Sequence, residues 1–565
     1  MNTLLTSRLW YGLALLLLGW HFNTVWQLAD AYPKFDDLND VYGFFGQLHQ
    51  AHNLPEKLAA FFFPNNEHIT ATNHLLYWLQ LQLTNTLDFK ALVLCGHLVI
   101  LLTAIVTARL LPANASQRGI WLFITLLMYL NLHSWQGSFM VMTSLSNQSV
   151  LLFTVLSLYS LQQQHITVAM LCAVFASFSQ GNGLLAWPVG LLWLVCSTPR
   201  AAWRHTLCWC VVASLTALLY FAMKQHFPLP DQPPSIAAAL WTRFHDMPWV
   251  PVTSLLVFLG STAWSDSHTL AAIGTACLCL LACGYVYRHA LPQHRILFYL
   301  LLFLILSAIT ASSLRGLAAG TADVMMTSRY RMYSLLLLLI SLALCNARLP
   351  STRQPWMTGI ALGIALWSQS SSWRHIPAIQ SQSEQFRSSY AAWLVDGDFR
   401  RAPVYFPPLS DYYLFNAHYL SQHHALGQYR LLSLASPPHT VLHPDATIPT
   451  SQPCPTPDST RACSLTLTHR GNAIAMPLQL RTDTALTAPR LLLCTPDGNA
   501  SSALTLPPLP RAATSHWLLP EASIPPGHYT VWLQDSSGTQ CSTPLHKKPR
   551  KVDEQMHALF GAILS

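Results

Sequence analysis

The chain has 565 residues, of which 52% are hydrophobic and only 10% are charged, and its mean hydropathy is +0.32. A soluble globular protein has about a quarter of its residues charged, so this composition excludes an ordinary water-soluble fold. The formal charge of +8 comes from basic residues that stand singly between apolar runs, apart from the cluster KKPRK at 547–551. This dispersal argues against a nucleic-acid partner.

Apolar runs recur from the N-terminus to about residue 371. A segment that crosses a bilayer needs roughly 20 mainly apolar residues, because lipid offers no partners for backbone polar groups. On this basis we predict about eleven spans, near 9–28, 88–111, 119–135, 148–164, 166–180, 183–197, 203–225, 268–287, 295–313, 330–346 and 356–371. The run 250–260 is too short and is predicted to lie in the membrane interface. The predicted fold class is therefore mainly α, a polytopic transmembrane helical bundle.

The distribution of arginine predicts the orientation of these spans. Arg8 precedes the first run, and the segments that then fall inside carry most of the other arginines of this region: Arg109, Arg118, Arg200, Arg204, Arg288, Arg295, Arg348 and Arg353. Positive charge is retained on the cytoplasmic side, so the loops 29–87 and 314–329 are predicted outside. A cleaved signal peptide ending near Ala29-Asp30-Ala31 is an alternative that leaves the first loop exported all the same.

The region after the last span changes character. Residues 1–371 form the predicted membrane domain, and 372–440 form a mixed linker or subdomain with aromatic-rich stretches. From 441 to 545 short alternating runs such as SLTLTH and HYTVWLQ are separated by Pro, Gly, Asn and Asp, which predicts an exported β-sandwich-like domain. Residues 546–565 form a basic tail.

Four of the thirteen cysteines lie in this polar region: Cys454, Cys463, Cys494 and Cys541. An even number of cysteines in an exported segment suggests disulfides, and three pairings are open. We favour Cys454–Cys463 and Cys494–Cys541. Four free thiols in a cytoplasmic tail are the alternative.

The first loop, 29–87, contains the densest group of acids beside the membrane. Asp36 and Asp37 are adjacent, and such a pair can bind a divalent cation, or one carboxylate can act as a base while its neighbour tunes its pKa. The alternative is helix capping by Asp36, Asp37 or Asp40 at a helix that starts near Val41. Asn66-Glu67-His68 is the second candidate group, and capping explains it equally well.

Two stretches of this loop have helical amphipathic spacing. Val41, Phe44, Phe45 and Leu48 follow the i, i+3, i+4, i+7 pattern, and Leu75, Trp78, Leu79 and Leu83 nearly do. This pattern is typical of helices that lie on a bilayer surface. The loop is therefore predicted to hold its carboxylates at the membrane face.

Arginine and glycine mark the other candidate segments. Arg315 and Arg329, followed by Tyr330, stand outside in the predicted topology, where sorting does not favour positive charge, so they are candidates for binding a phosphate. Solvated or headgroup-bound arginines are the alternative. Gln180-Gly181-Asn182-Gly183 interrupts the apolar pattern, and a tight turn with Gly at positive φ explains it. The sequence contains no zinc motif, P-loop or G-x-S-x-G elbow, which argues against ATP-driven transport and serine-hydrolase chemistry.

These motifs together resemble the GT-C superfamily of polytopic membrane glycosyltransferases. The likeness is carried by F-D-D (35–37), N-E-H (66–68), N-G-L-L-A-W-P (182–188), R-G-L-A-A-G (315–320) and S-R-Y (328–330). It is greatest for poorly characterised bacterial members with an E-H-R tripeptide in the first loop. Ile69 stands here in place of that arginine, so this position cannot supply the charge.

The resemblance implies an inverting transfer from a polyprenyl-phosphate-linked sugar to an extracytoplasmic glycan, lipid or protein. It implies catalytic roles for Asp36, Asp37 and Glu67, donor-phosphate binding by Arg315, Arg329 and Tyr330, and supporting roles for Asn66, His68 and Asn182. The implied location is the bacterial inner membrane with a periplasmic C-terminal domain. An oligosaccharyltransferase or ligase, a lipid-linked sugar flippase or permease, and a non-catalytic assembly protein are alternatives.

Overall fold

The computed structural model describes residues 2–30, 33–65, 68–84, 87–197, 203–227, 244–262, 268–288, 295–384 and 386, and the seven strands between 465 and 547. The chain divides into two compact units, Met1–Ile379 and Gln380–Ser565. The first unit is almost entirely helical, whereas the described residues of the second beyond 386 are strands. The predicted mainly α fold is therefore confirmed.

The longer helices of the first unit follow the predicted apolar runs. In chain order the helices are α1 (Asn2–Leu28), α2 (Phe44–Gln50), α3 (Leu54–Ala60), α4 (Ala71–Thr84), α5 (Phe89–Leu110), α6 (Arg118–Tyr129), α7 (Trp135–Ser138), α8 (Val141–Gln162), α9 (Ile166–Ser177), α10 (Ala186–Ser197), α11 (Trp203–His226), α12 (Trp249–Gly260), α13 (Thr269–Arg288), α14 (Arg295–Ala311), α15 (Leu317–Ala319), α16 (Arg331–Arg348) and α17 (Gln354–Ser372). Each of the eleven predicted spans coincides with one of them. Each of these runs forms a helix because its residues are mainly apolar and compatible with a helical backbone. Packing against neighbouring helices then stabilises its buried face.

Six of these helices are long and apolar enough to cross a membrane. They are α5, α8, α11, α13, α14 with the turn that follows it, and α16 with the turn that precedes it. These six helices indicate a membrane protein. Helices α6, α9 and α12 have 12 residues each, which span about 18 Å against a hydrocarbon core of about 30 Å.

Helices α8 and α16 form the centre of the bundle. In their apolar windows 89% and 83% of the residues are buried, against 17% for α11, which presents most of its surface outward. Close approach of α5 and α8 depends on Gly96, where a Cβ would lie 2.4 Å from Oγ of Ser144. Small residues at helix contacts are typical of membrane bundles, because packing there depends on close backbone approach.

One of the two amphipathic predictions for the first loop is wrong. Val41, Phe44 and Phe45 are fully buried, and the ring of Phe44 stacks on His74 at 4.6 Å. This face packs against the rest of the loop because aromatic side chains gain more from a protein core than from a surface position. The second stripe does face outward, since Leu75 and Leu79 of α4 are each 37% exposed and Leu83 is 80% exposed.

The second unit contains two antiparallel sheets. Its strands are β3 (Leu465–His469), β4 (Pro477–Thr482), β5 (Arg490–Cys494), β6 (Ala500–Thr505), β7 (Ser515–Pro520), β8 (Gly527–Gln534) and β9 (Gln540–Lys547); a short pair, β1 (Pro64–Asn65) and β2 (His68–Ile69), lies in the first loop. The sheet orders are β3-β4-β7 and β6-β5-β8-β9. Alternating apolar and polar runs form these strands because successive side chains point to opposite faces.

The favoured Cys494–Cys541 disulfide is incompatible with the sheet order. Cys494 of β5 pairs with Thr530 and Cys541 of β9 pairs with Leu533, so β8 lies between the two cysteines. Strands two places apart are separated by about 9–10 Å, whereas the Cα atoms of a disulfide lie within about 7 Å. Cys454 and Cys463 lie outside the described residues.

The turn at 180–185 is built differently from the prediction. Among the described glycines only Gly320 has positive φ, so Gly181 and Gly183 are not needed for a left-handed backbone. Gly183 allows a close approach instead, because a Cβ there would lie 1.9 Å from the carbonyl oxygen of Ala176. The turn is a 3₁₀ segment, Gly181–Leu185, packed against the end of α9.

We expect Gly183→Ala to lower the stability of the bundle by about 1–3 kcal/mol, because the added methyl group meets a backbone atom that cannot move aside. The matched control is Gly359→Ala on α17, where nothing lies within 4 Å of the added Cβ and helix propensity favours alanine. Thermal unfolding in detergent measures both variants. Equal unfolding temperatures for the two would contradict the close contact.

Candidate functional site

The segment that runs from α7 into the first turn of α8, residues 136–143, brings the first loop to the helical bundle. The carboxylate of Asp37 accepts hydrogen bonds from the backbone N–H groups of Met142 at 2.6 Å and Val141 at 3.2 Å, and from that of Lys34 at 2.9 Å. Helix α8 has no capping side chain of its own, so Asp37 satisfies its first N–H groups. We call residues 136–143 the α7–α8 junction.

Capping therefore describes Asp37, but not at the helix that the sequence suggested. Asp37 makes no side-chain capping bond to the π-helical turn Leu38–Gly43 that follows it. Its partner is a helix that begins more than a hundred residues later in the chain. A negative charge at a helix N-terminus interacts favourably with the helix dipole, which adds to the hydrogen bonds.

Burial dominates the ionisation of Asp37, which is 1% exposed. Loss of hydration raises the pKa of Asp37 from 3.8 to about 7, against the lowering effect of the three backbone hydrogen bonds and with a further increase from the nearby Asp40. The carboxyl group of Asp37 therefore changes charge near neutral pH.

The residue before the acidic pair has a strained backbone. Phe35 has φ 47°, in the left-handed region that a bulky side chain rarely adopts, and it is one of two such non-glycine residues in the described chain. Asp36 follows it and is half-buried, and its backbone carbonyl accepts a hydrogen bond from the N–H of Asp40. Strain of this kind persists only where the surroundings enforce it, and here the three bonds to Asp37 do so.

Asp40 is the centre of a buried polar network. It accepts hydrogen bonds from Oγ1 of Thr70 at 2.6 Å and from the hydroxyl of Tyr77 at 2.7 Å, and Nε2 of His74 lies 3.3 Å from it. All four side chains are fully buried. Burial and the Asp40 carboxylate together raise the pKa of Tyr77 well above 10, which keeps its hydroxyl a donor. The network locks the start of the first loop onto α4, near the end of the same loop.

Another ion pair closes the start of the loop. Lys34 and Asp30 form a buried salt bridge, with side chains 2% and 6% exposed. Of the four loop aspartates at positions 30–40, three are buried: Asp30 pairs with Lys34, Asp37 caps the α8 terminus, and Asp40 accepts from Thr70 and Tyr77. Asp36 is the one that is half-buried rather than buried.

Arg329 packs on the same α7–α8 junction. A Cβ on Gly137 would lie 3.1 Å from Cβ of Arg329 and 3.4 Å from Cγ2 of Thr143. The two segments are clipped together by a reciprocal pair, in which the N–H of Gln136 donates to Oγ of Ser328 at 2.9 Å and the N–H of Ser328 donates to Oε1 of Gln136. The structure thus anchors the F-D-D and S-R-Y motifs on one short stretch of backbone.

The guanidinium of Arg329 lies 5.4 Å from the ring centre of Tyr330. Tyr330 is buried, and its ring packs at 5.0 Å against Phe258 of α12. Within the described chain no carboxylate pairs with Arg329, and its buried Nε has no hydrogen-bond partner. An arginine in this position keeps its charge for an anion.

The turn that contains Gly181 and Asn182 lies between His68 of the first loop and Tyr333 of α16. Nδ2 of Asn182 donates to the hydroxyl of Tyr333 at 2.9 Å, one turn after Tyr330. A Cβ on Gly181 would lie 3.1 Å from both Nδ1 of His68 and the hydroxyl of Tyr220. The N-G turn therefore contacts both the first loop and α16.

Arg315 lies on the π-helical turn Ser312–Gly316, which packs against α12 and the 3₁₀ turn Ala322–Met326. A Cβ on the adjacent Gly316 would lie 2.4 Å from Oγ of Ser254, and Gly320 ends the R-G-L-A-A-G motif at φ 67°. Gly316 therefore allows close packing against α12, and Gly320 allows the left-handed backbone of the turn. Asn66 and Glu67 lie outside the described residues.

A basic cluster that the sequence did not single out lies beside this region. Nε2 of His133 donates to the carbonyl of Ser368 at 3.0 Å, which leaves Nδ1 as an acceptor. Nδ1 lies 3.1 Å from Nε2 of His375 and 3.4 Å from the guanidinium of the buried Arg331. No local pattern predicts this cluster, because His133 lies 198 residues before Arg331 and 242 residues before His375 in the chain.

Three hydrogen bonds join chain segments that are far apart in the sequence. The first loop meets α8 at Met142 and the end of α9, where the N–H of Thr72 donates to the carbonyl of Phe178 at 3.2 Å. At the other end of α6 and α17, Nε2 of Gln117 donates to Oε1 of Gln354 at 3.1 Å.

Within the described residues, no three side chains from His, Cys, Asp and Glu gather at a distance suitable for a metal ion. The adjacent pair Asp36-Asp37 also differs from a cation site, because Asp37 faces N–H donors at the positive end of a helix.

No protein-family model matches the chain, and no curated protein and no solved structure matches it either.

The raised pKa of Asp37 predicts a pH-dependent stability difference between the native protein and Asp37→Asn. The folded state binds the proton more tightly than the unfolded state, so the contribution of Asp37 to stability falls as pH rises from about 4 to 7 and is level above. Between pH 5 and pH 8 we expect the native protein to lose about 2–3 kcal/mol relative to Asp37→Asn. Thermal unfolding across this range measures it, and a constant difference would contradict the shift.

Asp40→Asn should destabilise the first loop by about 1–3 kcal/mol, because the amide presents a donor to the hydroxyl of Thr70 or Tyr77 in place of an acceptor. Asp323→Asn is the control, since Asp323 is exposed and accepts from Thr269 at 2.7 Å. Hydrogen exchange of the 68–77 segment reports the local effect. If both variants exchange like the native protein, the network does not hold the loop.

Proposed function

We propose that the chain is a membrane glycosyltransferase that moves a sugar from a polyprenyl-phosphate carrier to an extracytoplasmic acceptor. The observation that carries this proposal is the α7–α8 junction: the segment with Asp36 is anchored there through Asp37, and Arg329 packs on the same stretch. An acid and an arginine with no carboxylate partner in the described chain are thus held at one end of an apolar bundle.

Asp36 is the acceptor-activating base in this proposal. It takes the proton of the acceptor hydroxyl as that oxygen attacks the anomeric carbon of the sugar. The bond between the anomeric carbon and the phosphate oxygen breaks, and the polyprenyl phosphate leaves with the electron pair. Attack opposite the leaving group inverts the anomeric centre.

Arg329 stabilises the departing phosphate in this proposal. A guanidinium offers paired N–H donors to phosphate oxygens and keeps its charge at any working pH. Tyr330 fixes the segment through Phe258, and Asn182 fixes α16 through Tyr333. Arg315 and Arg331 are further cations for the same anion, with the imidazole of His133 beside Arg331.

Asp37 has a positioning role in this proposal, not that of a second base or cation ligand. Its carboxylate is occupied by three backbone N–H groups, so it orients Asp36 through the chain. Glu67 assists the reaction and Asn66 and His68 support it, as the resemblance implies. The resemblance is also compatible with a bound divalent cation.

The finer topology belongs to the same proposal. It comprises eleven spans, with α1, α6, α9, α10 and α17 added to the six long helices, in a bacterial inner membrane. It places the first loop and the C-terminal unit in the periplasm, the latter as a β-sandwich-like domain that holds acceptor. Ligation of a preassembled glycan is a variant within this chemistry. A flippase would place its polar groups in mid-membrane, whereas the acids here lie in the first loop.

The test uses the full chain in proteoliposomes with radiolabelled short-chain polyprenyl-phosphate hexoses and pentoses and a bacterial envelope fraction as acceptor. We expect label to pass from the lipid phase to the acceptor, and Asp36→Asn to slow this by about 10²–10⁴-fold because the base is lost. Glu56→Gln is the matched control, an exposed carboxylate of the same loop that bonds only locally.

Unchanged transfer by a well-folded Asp36→Asn would remove Asp36 from the reaction. Movement of the intact lipid-linked sugar between leaflets, with no loss of sugar from the carrier, would instead identify a flippase.

A further inference from the structure

An apolar groove runs between α1 and α5 on the outer surface of the bundle. It has a volume of about 450 Å³ and is lined by Phe22, Asn23 and Trp26 of α1 and by Leu94, Cys95 and Leu98 of α5. Trp26 and Leu98 are about half exposed, at 53% and 48%. Because α5 is one of the six apolar helices, this surface faces lipid in a membrane.

A cation lies at one end of this groove. Nζ of Lys90 is 4.4 Å from the ring centre of Trp26. Lys90 follows the first residue of α5 and Trp26 is near the end of α1, so both are at the end of the groove beside the first loop. The carboxylate of Asp88 accepts from the backbone N–H of Lys90 at 2.9 Å, but within the described chain no carboxylate forms an ion pair with its ammonium group. A lysine and a tryptophan at the end of an apolar helix are typical of the headgroup level of a bilayer.

The groove contains one polar side chain. Asn23 is exposed, and its side-chain amide makes no hydrogen bond to any described residue. An amide without partners is costly in hydrocarbon, so a polar atom of the surroundings should meet it. Asn23 precedes the end of α1 at Leu28 by about 7 Å of helix, which is the depth of the zone between headgroup and hydrocarbon.

We propose that this groove binds one anionic, ester-linked phospholipid of the leaflet that adjoins the first loop. Its phosphate contacts Lys90, an ester carbonyl accepts from the amide of Asn23, and an acyl chain lies along Phe22, Leu94 and Leu98. The distance from Lys90 to Leu98 along α5 is about 12 Å, enough for the upper half of an acyl chain. The site is separate from the proposed transfer site and does not depend on it.

A polyprenyl phosphate shares the phosphate and the chain but has no ester carbonyl. Asn23 therefore favours the phospholipid. The groove can make one more hydrogen bond to the phospholipid than to the polyprenyl phosphate. A competition experiment can measure the resulting difference in affinity.

The test is photo-crosslinking of the full chain in nanodiscs that contain a minor fraction of phosphatidylglycerol with a diazirine in its acyl chain. We expect crosslinks on α1 and α5 at the groove, mapped by mass spectrometry. Lys90→Gln should lower this labelling about fivefold, since a lysine near an anionic surface contributes about 1 kcal/mol. Lys57→Gln, an exposed lysine of α3, is the control and should leave labelling unchanged.

Leu98→Trp should fill the groove and abolish labelling there, whereas Leu218→Trp on the exposed face of α11 should not. Asn23→Leu should remove the preference for the ester lipid over its ether-linked analogue. The proposal is overturned if labelling at the groove is indifferent to Lys90→Gln, or if polyprenyl phosphate displaces the phospholipid more readily than the ester lipid does. Crosslinks spread evenly over α1, α5 and α11 would also overturn it.

Discussion

The hydrogen bonds from the start of α8 to Asp37 are the contact on which the rest of this region depends. Helix α8 is the most buried of the six long apolar helices, and its N-terminus has orphan N–H groups that lipid could not satisfy. Asp37 satisfies them from a distant part of the chain. One carboxylate thereby completes the central helix and fixes the position of the first loop.

The same constraint explains why the loop is packed as a small core rather than spread on the bilayer. Once Asp37 is attached to α8, the following turn brings Val41, Phe44 and Asp40 against α4, where Tyr77 and His74 meet them. Asp40, Tyr77 and His74 of this core have hydrogen-bond partners, so their burial is tolerated. The strain at Phe35 is the local consequence of joining α1 to this arrangement.

Adjacent carboxylates in sequence acquire different properties from different surroundings. Asp37 is buried and its pKa is raised, while its neighbour Asp36 stays half-buried. Pairs of acids whose environments differ in this way are a recurrent means of separating positioning from proton transfer. Arg329 also packs on the α7–α8 junction. The same stretch of backbone therefore contacts both an acidic side chain, Asp37, and a basic one, Arg329.

The sequence by itself determined the helical membrane character, the places of the eleven apolar helices and the strand-rich second unit, because hydrophobic length and period are local properties. It also predicted Asp36, Asp37 and Arg329 as site residues, and the structure brings Asp37 and Arg329 to one stretch of backbone. Only the tertiary structure decided which helix Asp37 caps, that Phe44 faces inward, that Gly183 serves a close approach, and that β8 separates Cys494 from Cys541. These depend on pairing between segments far apart in the chain, for which a local pattern carries no information.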